Sequence, residues 1–201
     1  MSIGSVALGT TAMNRSLGPA AWSEAGLPLL RDPRTVVADL HRVHRPAPGT
    51  VVVGVLDPMG RTVAGASFAV RPASGDGWQY RNAILAHLRH VIPHDLRRAH
   101  PVRTAVLMLC RRGGPGWTEE DGAWMWALQD ACSLHGLRCG AYVTLTESGW
   151  QVLGDGRAGR TPHAGSWAHE TVRAVSPLPV RALAEPVRVR EAPEPARAGR
   201  L

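Results

Sequence analysis

The sequence predicts a single α/β domain in which a mixed β-sheet carries helices on its faces. Segments with helical and strand-like patterns alternate through residues 31–154, and the helical segments each have one apolar face. Residues 50–56 and 102–110 are apolar almost throughout, as is typical of buried strands. With 201 residues, 44% of them hydrophobic, the chain is long enough for one core and additional terminal segments.

The first half predicts a helix followed by two antiparallel strands. The helix begins at Asp32 and Pro33, because an aspartate can cap free backbone amides and a proline at the first helical position loses no useful donor. Pro46 ends it, and residues 50–56 form a strand. Turn residues follow at 57–60, so residues 61–70 are expected to return as the antiparallel partner.

The second half predicts helix, strand, long helix and a final hairpin. The helix covers residues 79–92, and the strand at 102–110 is expected near the centre of the sheet. Thr118 caps the long helix, which ends at Gly136. We expect a glycine-rich loop at residues 111–117, before the long helix, and two hairpin strands after it, at residues 139–145 and 150–153.

Both ends of the chain have a different composition from the middle. Residues 1–30 are rich in Gly, Ala and Ser and predict a flexible arm, while residues 155–201 are rich in Pro, Ala and Arg and predict a disordered tail. Three cysteines without a CxxC pair fit a reduced cytoplasm. No apolar stretch is long enough to span a bilayer, so we expect no membrane role.

The formal charge of +7 raises a nucleic-acid hypothesis. Every basic residue is Arg, which we interpret as codon bias of a GC-rich genome. The excess charge is spread along the chain, and adjacent arginines occur only at 97–98 and 111–112. Because duplex readers concentrate their basic residues, this pattern supports nucleic-acid binding only weakly.

One stretch carries a recognisable motif, the run from Met108 to Asp121. It fits the pattern His-x-His-Pro-Ser-Gly-x-Pro-x-Pro-Ser-x-x-Asp without a gap, with matches at Gly113, Pro115 and Asp121 and with Thr118 in place of the second Ser. On these residues and on its order of elements, the segment from about 30 to 155 resembles the RadC-type branch of the JAB/MPN metalloprotease-like family. The resemblance implies a JAB/MPN-like fold.

The departures from the motif bear on function. In the family, two His and one Asp hold zinc, and an upstream Glu activates the bound water. Here the His positions are Met108 and Cys110, and no Glu lies between Glu24 and Glu119. A methionine thioether is a poor zinc ligand. The former metal-site positions Met108, Cys110, Thr118 and Asp121 therefore predict a pseudo-metalloprotease without metal, cofactor or catalytic residues.

This interpretation predicts a protein-interaction or regulatory module with an unknown protein partner. Two alternatives stay open at this point: a metal-dependent hydrolase using Cys110, Asp121 and one His, and a nucleic-acid-associated regulator using the Arg-rich tail. A reactive Cys110 thiol is a further hypothesis. His87, His90 and His94 could form a metal patch, although a solvated helix face explains them better.

Tryptophan is unusually frequent, with seven Trp against one Phe and two Tyr. On the long helix Trp124 lies on the apolar face, whereas Trp126 lies among polar positions. Interfaces favour tryptophan and arginine. We therefore predict interaction residues at Trp117, Trp126, Arg111 and Arg112. The alternative for Trp126 is an indole covered by the tail or by a neighbouring loop.

Overall fold

The computed structural model describes residues 15–70, 76–94 and 100–168, and these residues lie in one compact unit. The helices are α1 (Pro19–Glu24), α2 (Pro33–His44), α3 (Gly77–Val91) and α4 (Glu119–His135). The strands are β1 (Thr50–Leu56), β2 (Thr62–Ala69), β3 (Thr104–Cys110), β4 (Arg138–Thr146), β5 (Gly149–Val152) and β6 (Ala158–Gly159), and a 3-10 turn follows at Ser166–Ala168. The α/β class is confirmed.

The six strands form one mixed sheet in the order β2-β1-β3-β4-β5-β6. Strand β1 is antiparallel to both β2 and β3, and β3 is parallel to β4. The remaining pairs, β4 with β5 and β5 with β6, are antiparallel. The two most apolar strands, β1 and β3, thus lie side by side inside the sheet, where both of their faces are covered.

Helices cover both faces of the sheet and form two separate cores. Alternate side chains of β1 and β3, such as Val53 and Leu107, pack with α3 and α4. The side chains between them, such as Val52 and Met108, pack with α2. Because successive residues of a strand point to opposite faces, each position in β3 is assigned to one core or the other.

Local signals fix the helix ends. Asp32 accepts a hydrogen bond from Thr35 N at 3.1 Å at the start of α2. Asp76 does the same for α3 through Gln79 N at 3.0 Å, so α3 begins two residues before the predicted position. Thr118 caps α4 as predicted, and Gly136 ends it with a φ of 79°, which favours glycine.

The predicted domain boundaries at 31 and 154 are too narrow. Trp22 of α1 is buried in the core, and Leu17 N donates to Gly122 O at 2.9 Å, so the described part of the predicted arm is packed. Residues 155–168 are packed as well, since β6 extends the sheet and Arg157 Nη1 donates to Leu30 O at 2.6 Å. Residues 1–14 and the predicted tail beyond 168 lie outside the described residues.

None of the helices in the described ranges combines the length and apolarity needed to cross a bilayer.

Candidate functional site

The motif identified in the sequence centres on Asp121, in the first turn of α4. Its side chain has no solvent exposure. One carboxylate oxygen, Oδ2, accepts from Thr118 N and Thr118 Oγ1, both at 2.8 Å, and from Arg111 Nη2 at 3.0 Å. The other, Oδ1, accepts from Tyr142 OH at 2.9 Å and from Arg111 Nε at 3.3 Å. The lone pairs of the carboxylate are therefore used by the protein itself.

Arg111 joins this carboxylate to the glycine-rich loop. Beyond its two bonds to Asp121, Nη1 donates to Gly114 O at 2.7 Å and Nη2 to Gly116 O at 2.5 Å. The Arg111 side chain is only 12% exposed. We call this arrangement of Arg111, Asp121, Thr118 and Tyr142 the Arg111–Asp121 clamp. It holds the loop after β3 against the start of α4.

The clamp follows from the local sequence and from the sheet. Thr118 and Asp121 form a capping box, in which Thr118 Oγ1 also accepts from Asp121 N at 3.3 Å. Tyr142 reaches the carboxylate from β4, and its burial beside Asp121 raises the pKa of its phenol well above the usual value. The Tyr142 phenol therefore stays protonated and donates its hydrogen bond to Asp121 over the whole physiological pH range.

Met108 and Cys110 lie on the opposite face of the sheet. Both belong to the core that packs with α2, and Cys110 Sγ lies 3.8 Å from Pro46 O. Of the four former metal-site positions, the structure brings together Thr118 and Asp121, and it separates Met108 and Cys110 from them. The reason is that successive side chains of a strand point to opposite faces of the sheet. Positions 108 and 110 point to the same face, and the Leu109 side chain between them points toward α4.

This separation removes support for the altered-ligand hydrolase and for a reactive Cys110. Burial raises the pKa of the Cys110 thiol to about 12, so the thiolate that would bind zinc or attack a substrate is scarce at neutral pH. Within the described ranges no three His, Cys, Asp or Glu side chains are grouped so that they could hold a metal ion.

The two histidines of α3 contact backbone carbonyls of their own helix. His87 Nδ1 and His90 Nδ1 each lie 2.8 Å from a carbonyl oxygen one helical turn earlier, those of Ala83 and Ala86. The His87 ring also stacks on Phe68, with 4.1 Å between ring centroids. These contacts favour the interpretation of His87 and His90 as part of a packed and partly solvated helix face. His94 lies beyond the end of α3, with its ring 6.4 Å from that of His135, centroid to centroid.

A second polar cluster joins residues 161–168 to the end of α2. Ser166 Oγ lies 3.1 Å from His41 Nε2, but it also donates to His163 O at 2.8 Å and accepts from His163 N at 3.2 Å. Trp167 Nε1 donates to Pro46 O at 3.1 Å. The Ser166 hydroxyl thus serves a tight turn, and the cluster fixes that turn on α2.

Tryptophan and arginine side chains gather on the outer side of α3 and α4. Two guanidinium groups lie over the Trp78 ring, with the central carbon of Arg81 3.6 Å and that of Arg15 4.4 Å from the ring centroid. Trp126 lies 6.2 Å from Trp78, centroid to centroid. Trp78 and Trp117 are each 37% exposed. We call Arg15, Trp78, Arg81, Trp117 and Trp126 the Trp–Arg surface.

Two glycines allow residues 15–17 to cross this surface. A Cβ at Gly77 would lie 2.6 Å from Arg15 O and 2.7 Å from a Trp126 ring carbon. A Cβ at Gly122 would lie 2.9 Å from Leu17 O and 3.0 Å from the Trp117 ring. The chain before α1 therefore passes directly over α4 and covers part of it.

The structure places the four predicted interaction residues in different environments. Trp126 is half-buried under Arg15 and beside Trp78, so the alternative of an indole covered by a neighbouring segment holds for part of its surface. Arg111 is used within the clamp, whereas Arg112 and Trp117 are exposed as an interaction residue requires. Sequence patterns missed Trp78, although its position just after the Asp76 cap places it in the first turn of α3.

Comparison with protein-family models, curated proteins and solved structures finds no match to this chain.

Proposed function

We propose that this protein is a non-catalytic domain, RadC/JAB-like in its motif, that acts as a protein-interaction or regulatory module. The proposal rests on the burial and hydrogen bonding of the Asp121 carboxylate. In the family that the motif resembles, this carboxylate is a zinc ligand. Here it is buried and accepts five hydrogen bonds from three residues, Arg111, Thr118 and Tyr142.

Electrostatics supports this interpretation. The Arg111 guanidinium supplies the positive charge that a metal ion would otherwise give to a buried carboxylate. A divalent cation would have to displace Arg111 and break the hydrogen bond from Tyr142. It would also need two further ligands, and Met108 and Cys110 lie on the other side of the sheet.

The Trp–Arg surface supports an interaction role. Tryptophan and arginine are among the residue types that contribute most of the binding energy in many protein interfaces. Trp78 is already held in place by Arg15 and Arg81, and its uncovered edge is available to a partner. We propose that a protein partner covers the exposed edges of Trp78 and Trp117.

Metal content tests the non-catalytic part of the proposal. Protein purified without tags or chelators is analysed for zinc as wild type, as Asp121→Asn and as the control Glu119→Gln, an exposed acid in the same helical turn. We expect substoichiometric zinc in all three. About one zinc per chain that is lost only in Asp121→Asn would overturn the proposal.

Binding of a defined partner tests the other part. Candidates captured from the native host are produced in pure form and titrated against wild type, Trp117→Ala and Leu134→Ala, the last being an exposed apolar residue at the far end of α4. We expect about tenfold or greater weakening by Trp117→Ala and no change with Leu134→Ala. Equal affinities for all three proteins would contradict a partner site on the Trp–Arg surface.

A further inference from the structure

The two edges of the sheet are built differently. At one edge β6 has only two residues, Ala158–Gly159, whereas at the other β2 has eight, Thr62–Ala69. Within the described ranges, no backbone hydrogen bond reaches β2 from its outer side. The outward N–H and C=O groups of this strand are thus available to pair with another strand.

Strand β2 also lacks most of the features that protect a free edge. Its sequence, TVAGASFA, contains no charged residue and no proline. One irregularity interrupts the pairing with β1, between Val55 and Leu56, and it lies at the start of β2. Residues 64–69 pair regularly with β1, and they are long enough to accept a further strand.

We propose that β2 pairs with β2 of a second copy of this chain, antiparallel and about a two-fold axis, so that two sheets become one. An antiparallel strand pair made from one sequence is symmetric by construction, and it closes after two copies. A charged side chain near such an axis would face its own copy. The absence of charge along β2 therefore makes the strand complementary to itself.

The available area matches what a stable dimer needs. Eight residues at about 3.4 Å each give an edge about 27 Å long. Helices reach this edge on both faces, since His44 of α2 packs against Gly65 and His87 of α3 stacks on Phe68. A helix–sheet–helix cross-section is about 30 Å thick, so the edge presents roughly 800 Å² per copy, the standard size for a stable interface.

Exposed apolar side chains on β2 and on the elements next to it add to this surface. Val63 of β2, Val43 near the end of α2 and Met59 in the β1–β2 turn are all more than half exposed. Pairing through β2 would bring these residues close to the second copy. This inference concerns a different part of the molecule from the Trp–Arg surface and does not depend on the proposed function.

The test is the mass in solution of the full chain and of two serine variants. Sedimentation equilibrium is run across micromolar to sub-millimolar concentrations for wild type, Ser67→Glu and Ser148→Glu. Ser67 is exposed on β2, and Ser148 is exposed in the β4–β5 turn. Circular dichroism verifies that both variants fold, which is expected because neither position is buried.

We expect wild type and Ser148→Glu to sediment at twice the 21.5 kDa chain mass. We expect Ser67→Glu to weaken dimerisation by about tenfold or more, because it places like charges near the axis. Amide hydrogen exchange should show protection in β2 that rises with protein concentration. A monomeric wild type, a dimer indifferent to Ser67→Glu, or β2 amides without concentration-dependent protection would each overturn the proposal.

Discussion

Replacing Arg111 with Met removes the cation from the Arg111–Asp121 clamp while keeping most of its apolar length. The substitution leaves the Asp121 carboxylate fully buried with no counter-charge, and it leaves the carbonyls of Gly114 and Gly116 without their donor. Breaking a buried ion pair by removing one partner costs about 3–5 kcal/mol. We expect a loss of this size in the free energy of unfolding.

A surface pair on α2 provides the matched control. Arg42 donates to Asp39 at 3.1 Å, but the Arg42 side chain is 70% exposed. Exposed pairs contribute about 0–1 kcal/mol, so Arg42→Met should have little effect. A further variant, Arg111→Met with Asp121→Asn, should recover part of the loss, because the uncompensated charge is then gone.

Urea unfolding followed by tryptophan fluorescence measures these differences, with thermal unfolding as a second readout. For a domain of this size, about 3–5 kcal/mol corresponds to a decrease in Tm of roughly 6–20 °C. If Arg111→Met costs no more than Arg42→Met, the clamp does not stabilise the fold. If the double variant is less stable than Arg111→Met alone, the uncompensated charge is not the cause of the loss.

Four other substitutions test individual residues of α4 and its cap. Trp124→Ala should lower the free energy of unfolding by about 3–5 kcal/mol, because the buried Trp124 ring stacks on Tyr80 with 3.8 Å between ring centroids. Trp126 is only half-buried, so Trp126→Ala should cost clearly less. Equal losses in urea unfolding would contradict this difference in burial. Thr118→Ala should cost about 1 kcal/mol through the lost cap, and an unchanged urea midpoint would argue against it. Burial, with smaller contributions from His94 and Arg89, lowers the pKa of His135 below 6.5. Among the residues that the structure describes, neither ring nitrogen of His135 finds a hydrogen-bond partner. Its folded-state pKa lies below the unfolded value, so its contribution to stability is present above pH 6.5 and is lost as pH falls through the lowered pKa. His135→Leu should therefore make the unfolding midpoint depend less on pH between neutral and mildly acidic conditions, and an unchanged slope would refute this.

The sequence by itself determined the local elements. The bounds of β1 are those predicted, α2 starts at its Asp32 cap, and α4 runs between Thr118 and Gly136 as expected. These features depend on contacts within a few residues, such as capping hydrogen bonds, turn conformations and the period of apolar side chains. The α/β class followed because alternating helices and strands have few ways to bury their apolar faces.

Tertiary structure alone decided what the motif residues do. Their spacing placed Met108, Cys110 and Asp121 in one motif, but strand alternation and the position of α4 put Asp121 on one side of the sheet and the other two on the opposite side. The same holds for Trp22, whose burial depends on the distant strand β4 through its contact with Tyr142. Such outcomes depend on which strands become neighbours and on which face each helix covers. Both are set by the packing of the whole core, which no local pattern in the sequence contains.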